Sequence, residues 1–410
     1  MKNFLRALLI LMVAIGLRTT VFAAQPMNPR VVWLRDPQTT AMVCWNTAEL
    51  GEEHQVHVRE HGVADAPLAT FKTKRDRRFS YVKDDQKPLF FHHAELTELK
   101  PDTRYDIQIV SDGDSSKLFY FITAPGGGTP FSLLFGGDSR SGLENRRKMN
   151  QMMSGLVARS AQSPEPADRI IALMHGGDFV VSGTNFKQWS RWMDDHDLTI
   201  GEDNRILPIV PARGNHDRGR LFCKAFGFDS KDDHNWYNLS FGNMLSVVTL
   251  NTEASIAGKQ AMWLSDQLRK NRKSHLWSVV QYHRPAFAAV KWPSGALIYW
   301  VPRFEKHNVD LVCEADGHNI KRTMPIRKNK PHPDGVVYIG EGGLGVPQRT
   351  PKTNRWYLKS PGMADSGLHV QRLKFEPHQL TYECILLGGQ IRDTATMLPR
   401  KSMTPVNAGS

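Results

Sequence analysis

The pattern of apolar and polar positions changes once along the chain. From Asn28 to Thr123, apolar and polar residues alternate in short runs, at 31–34, 40–45, 55–59 and 105–110, separated by turn-rich stretches. A period of two puts one face of each segment on a core, so this region predicts an antiparallel β-sandwich. Beyond position 131 the apolar runs are followed by segments of helical period. Phe131-Ser132-Leu133-Leu134-Phe135 ends on Gly136-Gly137-Asp138, and 144–162 carries Met149, Met152, Met153, Leu156 and Val157 on one helical face. The run 170–174 ends on His175-Gly176-Gly177-Asp178, and a helix is predicted over 185–196 with Phe186, Trp189 and Trp192 inward.

Ile206-Leu207-Pro208-Ile209-Val210 leads into Gly214-Asn215-His216-Asp217. Two strands follow about a Gly242-Asn243 turn, then a helix over 259–270 and a strand over 275–282 that ends on His283-Arg284-Pro285. The run 310–315 leads into Asp316-Gly317-His318, and the later strands, 336–339, 369–375 and 380–386, are expected to complete a second sheet. Repeated strand, polar loop and helix predict a layered α/β domain whose chemistry lies along one sheet edge.

Between the two patterns lies Ala124-Pro125-Gly126-Gly127-Gly128-Thr129-Pro130. No Gly-Lys-Ser/Thr follows it, so it reads as a linker and hinge at 125–130 rather than a phosphate loop. The expected domains are a sandwich at 26–124 and an α/β domain at 131–400.

Composition sharpens this picture in three ways. A chain of 410 residues with 40% apolar and 23% charged residues is a soluble globular protein too long for one core. Its formal charge of +12 suits an anionic substrate. The basic clusters at 72–78 and 321–330 lack aromatic interleaving, so no specific nucleic-acid partner is expected. Residues 1–24 read as a signal peptide, with Lys2 and Arg6, an apolar run at 7–17 and a Val21-Phe22-Ala23 cleavage site, which predicts a secreted or periplasmic protein. That run is too short to cross a bilayer and no later segment is longer, so no membrane span is expected. Cys44, Cys223, Cys313 and Cys384 are widely scattered, which favours buried thiols over a disulfide framework.

The residues that follow the strands are Asp138, Asp178, Asn215 with His216, His283 and His318. With His216 set aside, two carboxylates, an amide and two imidazoles are a donor set for Zn, Mn or Fe, as one or two ions. A single histidine after a strand is more often structural; five such coincidences argue for a centre. His216 is expected to protonate a leaving oxygen, with Asp217 holding its ring.

In this order, Gly-Asp, Gly-Asp, Gly-Asn-His-Asp, His-x-Pro and Gly-His resemble the signature of the calcineurin-like metallophosphoesterases. Residues 96–105 resemble the L-x-x-L-x-P-x-T-x-Y corner of fibronectin type III domains, with Trp45 at their core tryptophan. Such a module in front, together with His283-Arg284-Pro285, is similar to the purple-acid-phosphatase-like branch. The resemblance implies a four-layer αββα sandwich around two metals sharing Asp178, and hydrolysis of a phosphorylated small molecule or other phosphoester, mono- or diester, by direct attack of water. One implied metal set, Asp178, Asn215, His283 and His318, is complete. Of the other, only Asp138 and Asp178 are present: Arg140 stands at the position of a histidine, Val181 at that of the tyrosine responsible for purple colour, and Ile320 at that of the last histidine.

Three readings of that gap stay open. Arg140 substitutes for the missing charge, or it merely pairs with Asp138, or His175, Glu314 or Asp316 is recruited as a ligand. A rival of another class is an exported binding or scaffold protein whose metal site has decayed. The glycine-rich stretch 340–345 is expected to be a loop near the site.

Overall fold

The computed structural model describes residues 24–63, 68–73, 89–229 and 234–400. The expected leader at 1–24, except Ala24, and most of the basic run at 72–78 lie outside the described residues.

Two sheets face each other. The first holds nine strands in the order Ile391–Met397, Leu380–Leu386, His369–Phe375, Phe131–Gly136, Ile170–His175, Ile209–Pro211, Met27–Val32, Ala41–Thr47 and Phe90–Leu96. The second holds seven, in the order Tyr237–Phe241, Leu245–Thr249, Trp277–Tyr282, Leu311–Glu314, Val337–Gly340, Ile320–Arg322 and Met363–Asp365. Leu133, Phe135, Met174 and Val210 of the first meet Val247, Val279, Cys313 and Ile339 of the second in a common core.

Helices cover both outer faces. On Leu143–Ser160, Met149, Met153 and Val157 pack on Leu134 and Leu173, as their helical spacing requires. Trp189 and Trp192 of Phe186–His196 lie on Val32 and Ile209, and the Asn185 side chain caps that helix by accepting from Gln188 N. Lys259–Ser274 and Val301–Lys306 lay Leu264, Leu268 and Phe304 on Val248, Val280 and Val312. The layers are therefore helix, sheet, sheet, helix. Each large apolar side chain so buried contributes roughly 1.5–3 kcal/mol.

The N-terminal region is strand-rich, as its alternation predicts. His54–Glu60 and Arg104–Ser111 pair antiparallel, flanked by Ala69–Lys72 and Phe119–Ile122. Trp45 is buried with its Nε1 on Ser111 Oγ at 3.1 Å, and Lys100 N donates to Tyr105 Oη at 2.8 Å, which closes the tyrosine corner.

One expectation changes. The strands at 369–375 and 380–386 join the first sheet, not the second: His369–Phe375 pairs antiparallel with Phe131–Gly136. That strand is buried along its whole length, so the edge facing away from Ile170–His175 needs a partner. Met27–Val32 of the N-terminal region also runs parallel to Ile209–Pro211 in the first sheet, and Trp33 N donates to Ile209 O at 3.0 Å. The junction at 124–127 is bonded to distant partners. Asn243 N donates to Gly127 O at 2.9 Å, Ala124 N to Pro37 O at 3.0 Å, and Arg169 pairs with Asp102 at 2.7 Å across the same junction. Glycine content reports local freedom, whereas these partners are distant in sequence.

Among the described residues there is no disulfide. Cys44, Cys313 and Cys384 are buried thiols, and burial pushes Cys44 and Cys384 up to about 12. No described helix is long and apolar enough to cross a membrane.

Candidate metal centre

Phe131–Gly136, Ile170–His175 and Ile209–Pro211 are parallel neighbours, as are Trp277–Tyr282, Leu311–Glu314 and Val337–Gly340. Their C-terminal ends therefore open on one side of the molecule, where Asp138, Asp178, Asn215, His283, Asp316 and His318 follow. Asp138, Asp178, Asp316 and His318 have φ of 58°, 60°, 69° and 60°. Four non-glycine residues in the left-handed region, each costly alone, mark a site whose geometry the surrounding fold imposes.

Asp138, Asp178, His283 and Asp316 each offer one ligating atom, all within 4.8 Å of one another, and all four residues are buried. His283 Nε2 lies 3.2 Å from Asp178 Oδ1, 3.2 Å from Asn215 Oδ1 and 3.5 Å from Asp316 Oδ1. Its Nδ1 faces Gly176 O at 2.9 Å, which aims Nε2 at the cluster. His318, expected beside His283, instead has Nε2 3.2 Å from Asp138 Oδ1. Asp138 Oδ1, Asp178 Oδ2 and His318 Nε2 are buried and make no hydrogen bond. Buried polar atoms are rarely left so, and convergent orphaned carboxylate and imidazole atoms fit a cation.

The electrostatics agree. Burial opposes ionisation of Asp178, yet His283 and the His216 N–H hold its carboxyl down at about 2. Asp316, also buried, is held still lower by His283 and Lys291. Burial works against a charge on His283, but the facing Asp178 and Asp316 raise its affinity for a proton well above the ordinary range. The surplus of negative charge that favours a proton on His283 equally favours a metal in exchange for it.

The backbone is built around this cluster. A Cβ on Gly214 would stand 2.3 Å from Asp178 Oδ1, so only glycine lets the 214–217 loop close on that carboxylate. The glycine-rich stretch lies here as expected: Leu344 N donates to Gly137 O at 3.0 Å and Val346 N to Asp138 O at 3.2 Å.

Asp217 does not hold the His216 ring. Its carboxylate accepts from Asp178 N at 2.8 Å, Phe179 N at 2.9 Å and Gly214 N at 2.9 Å, while His216 Nδ1 sits 2.7 Å from Val181 O. With Val180 N at 3.4 Å, four N–H groups of buried residues converge on the Asp217 carboxylate, and the side chain turns inward because they need an acceptor. Burial and then the Asp178 charge push Asp217 up to about 7, against the pull of those donors. The imidazole of His216 is partly exposed, with Nε2 4.0 Å from Asp178 Oδ2.

Arg140 pairs with Asp178 and not with Asp138: its Nε is 3.3 Å from Asp178 Oδ2. Of the other candidates, His175 is buried with Nε2 on Ser139 Oγ at 3.0 Å and Nδ1 accepting from Gly177 N, stacked on Phe179. Glu314 is taken by Lys321, by Tyr282 Oη and by Ala286 N. Only Asp316 reaches the cluster. Ile320 is packed in the core between the sheets and Val181 is 43% exposed, so neither position offers a donor to a second ion. Lys291, which pairs with Asp316, carried no signal in the sequence because it belongs to no motif.

Residues 26–123 match the family model described as purple acid phosphatase, N-terminal domain, and residues 144–319 match that of the calcineurin-like phosphoesterases. An uncharacterised protein of Mycobacterium tuberculosis is 24% identical over 360 residues, covering 77% of this chain, and the match spans 63% of that relative's length. Acid phosphatase type 7 of Danio rerio is 22% identical over 392 residues, covering 82% of this chain and 84% of the relative. A purple acid phosphatase from yellow lupin seeds shares the fold with a TM-score of 0.72 at 16% identity, over 92% of this chain and 74% of the lupin chain.

Proposed function

We propose that this chain, which matches the calcineurin-like phosphoesterase model over 144–319 and the purple acid phosphatase N-terminal model over 26–123, is an exported phosphoester hydrolase of that family working with one metal ion instead of two. The observation that carries this reading is the convergence of Asp138, Asp178, His283 and Asp316, with Asn215 Oδ1 beside His283. Asp178, Asn215, His283 and Asp316 would hold the ion, with Asp138 and His318 flanking it. When bound, a Zn, Mn or Fe ion supplies charge neutralisation for phosphoryl oxygens and acidifies water.

The chain's own residues do the rest. Arg140, 16% exposed beside Asp178, presents a permanent positive charge and a fork of donors to the non-bridging oxygens on the side where a second ion would otherwise stand. The Val181 carbonyl fixes a proton on His216 Nδ1, which leaves Nε2 to deliver a second proton to the leaving oxygen when the ring is protonated. Asp217 acts one step back, by shaping the turn that carries Asp178 and Gly214. Export rests on the leader-like pattern at 1–24.

Metal counting on the purified protein, with hydrolysis of a mono- and a diester followed in parallel, tests the reading. One ion per chain, with turnover abolished by Asp178→Ala, is expected. Two ions would sink the single-ion centre, and no metal with no turnover would favour a binding protein on a decayed site.

A further inference from the structure

The segment after His283 brings Lys291-Trp292-Pro293 to the rim of the centre. The Lys291 ammonium pairs with the Asp316 carboxylate, and one Cα step of about 3.8 Å separates Lys291 from Trp292. The loop is pinned from outside as well: Arg355 Nη2 donates to Lys291 O at 3.0 Å and Lys352 N to Ala289 O at 2.9 Å.

Of the ten tryptophans, Trp292 alone is exposed, at 81%. Lys352 Nζ and Arg355 Cζ stand 5.2 and 6.0 Å from its ring centre, near the outer limit of a cation–π contact, so they flank the indole without covering it. Pro293 fixes its own φ and restricts the residue before it, which narrows the conformations open to Trp292. The fold therefore holds a large apolar ring in water, with two cations beside it, one residue along the chain from the lysine that pairs with Asp316 of the cluster. Nothing in the packing of the core requires the ring there.

We propose that Trp292 is a stacking platform for the leaving group, which makes the preferred substrate a phosphoester with a planar aromatic group, either an aryl phosphate or a nucleotide. This rests on the phosphoesterase reading above. The ring supplies a face to the aromatic group, and Lys352 and Arg355 supply positive charge to any further anionic group the substrate carries.

The test compares 4-nitrophenyl phosphate, a nucleoside 5′-monophosphate and glycerol phosphate as substrates of the metal-loaded wild type, Trp292→Ala and Trp292→Phe. In Trp292→Ala the ratio of kcat/KM for an aromatic ester to that for glycerol phosphate falls about 10-fold, through KM, and Trp292→Phe restores most of it. A loss with 4-nitrophenyl phosphate alone assigns the platform to aryl esters, and a loss with the nucleotide assigns it to nucleotides. An unchanged ratio overturns the proposal. Affinity for a non-hydrolysable phosphonate analogue of the nucleotide and for 4-nitrophenylphosphonate, measured by calorimetry, separates the two readings. If the wild type hydrolyses none of the esters, the phosphoesterase reading fails, while about 10-fold weaker binding of either analogue to Trp292→Ala still supports the platform and equal binding of both overturns it.

Discussion

Arg140 Nε stands 3.3 Å from Asp178 Oδ2, while His283 Nε2 faces the other oxygen, Oδ1, at 3.2 Å. One carboxylate thus divides a fixed positive charge from an imidazole of the candidate centre. Arg140→Ala is expected to lower kcat by about 10²–10³-fold, the range for loss of one positioned donor to a developing charge. Arg140→Lys keeps the charge and loses the fork, so it recovers only part of the rate. Equal turnover in all three proteins would show that the guanidinium is a bystander.

Asp217→Asn separates a catalytic partner of His216 from a scaffold of the turn. The amide keeps one acceptor for the four N–H groups that the carboxylate serves, and leaves a buried donor facing other donors. A loss of about 1–3 kcal/mol in urea unfolding is expected, with weaker metal binding by calorimetry. An intact fold and affinity with only kcat reduced would return Asp217 to the dyad.

Beneath the centre, Lys321 is completely buried and bonded to Glu314, to Glu341 and to Phe287 O. The same carboxylates accept from Ala286 N and Ala289 N, so the ion triad ties the loop after His283 to the strand after His318. Lys321→Met leaves two buried carboxylates facing each other and is expected to cost on the order of 3–5 kcal/mol. The variant with Glu314→Gln and Glu341→Gln added should regain much of that loss in thermal unfolding.

Acid should destabilise the protein from outside its centre. Burial first, then neighbouring positive groups, lower His196 to about 3 and His92 to about 2, and burial lowers His369 to about 4. Each stays neutral when folded and takes a proton when unfolded, once the pH drops below the ordinary value of about 6.5. The stability they contribute is full above that value and is lost as pH falls towards their folded values. For His369 the shift amounts to on the order of 3 kcal/mol when complete. The unfolding midpoint should fall steadily from pH 7 to pH 4.5, and His369→Gln should make the slope shallower.

The layers and the loops of the centre were legible in the sequence because both have local signatures. Met149, Met153 and Val157 at helical spacing found their sheet, and each strand announced its polar end. Partners fixed by chain crossing were not legible. The pairing of His369–Phe375 with Phe131–Gly136, and of Met27–Val32 with Ile209–Pro211, depends on which edges remain open once the parallel core has formed. In the centre, adjacency misled for Asp217, since a neighbour in sequence need not face its neighbour's ring. Asp316 was visible only as one of three flanking candidates, and Lys291 was not visible, because a lone lysine in a loop has no pattern until the fold brings it to a carboxylate.

The strand Met27–Val32 shields the flank of Ile209–Pro211, which leads directly into Asn215 and His216. Trimming the protein to residues 131–400 would unmask that flank as a raw sheet margin a few residues from the 214–217 loop. Such a fragment would recruit foreign strands and self-associate. The front region thus serves as a sheath for the loop, and swapping, shortening or fusing either half of this chain would bare that flank.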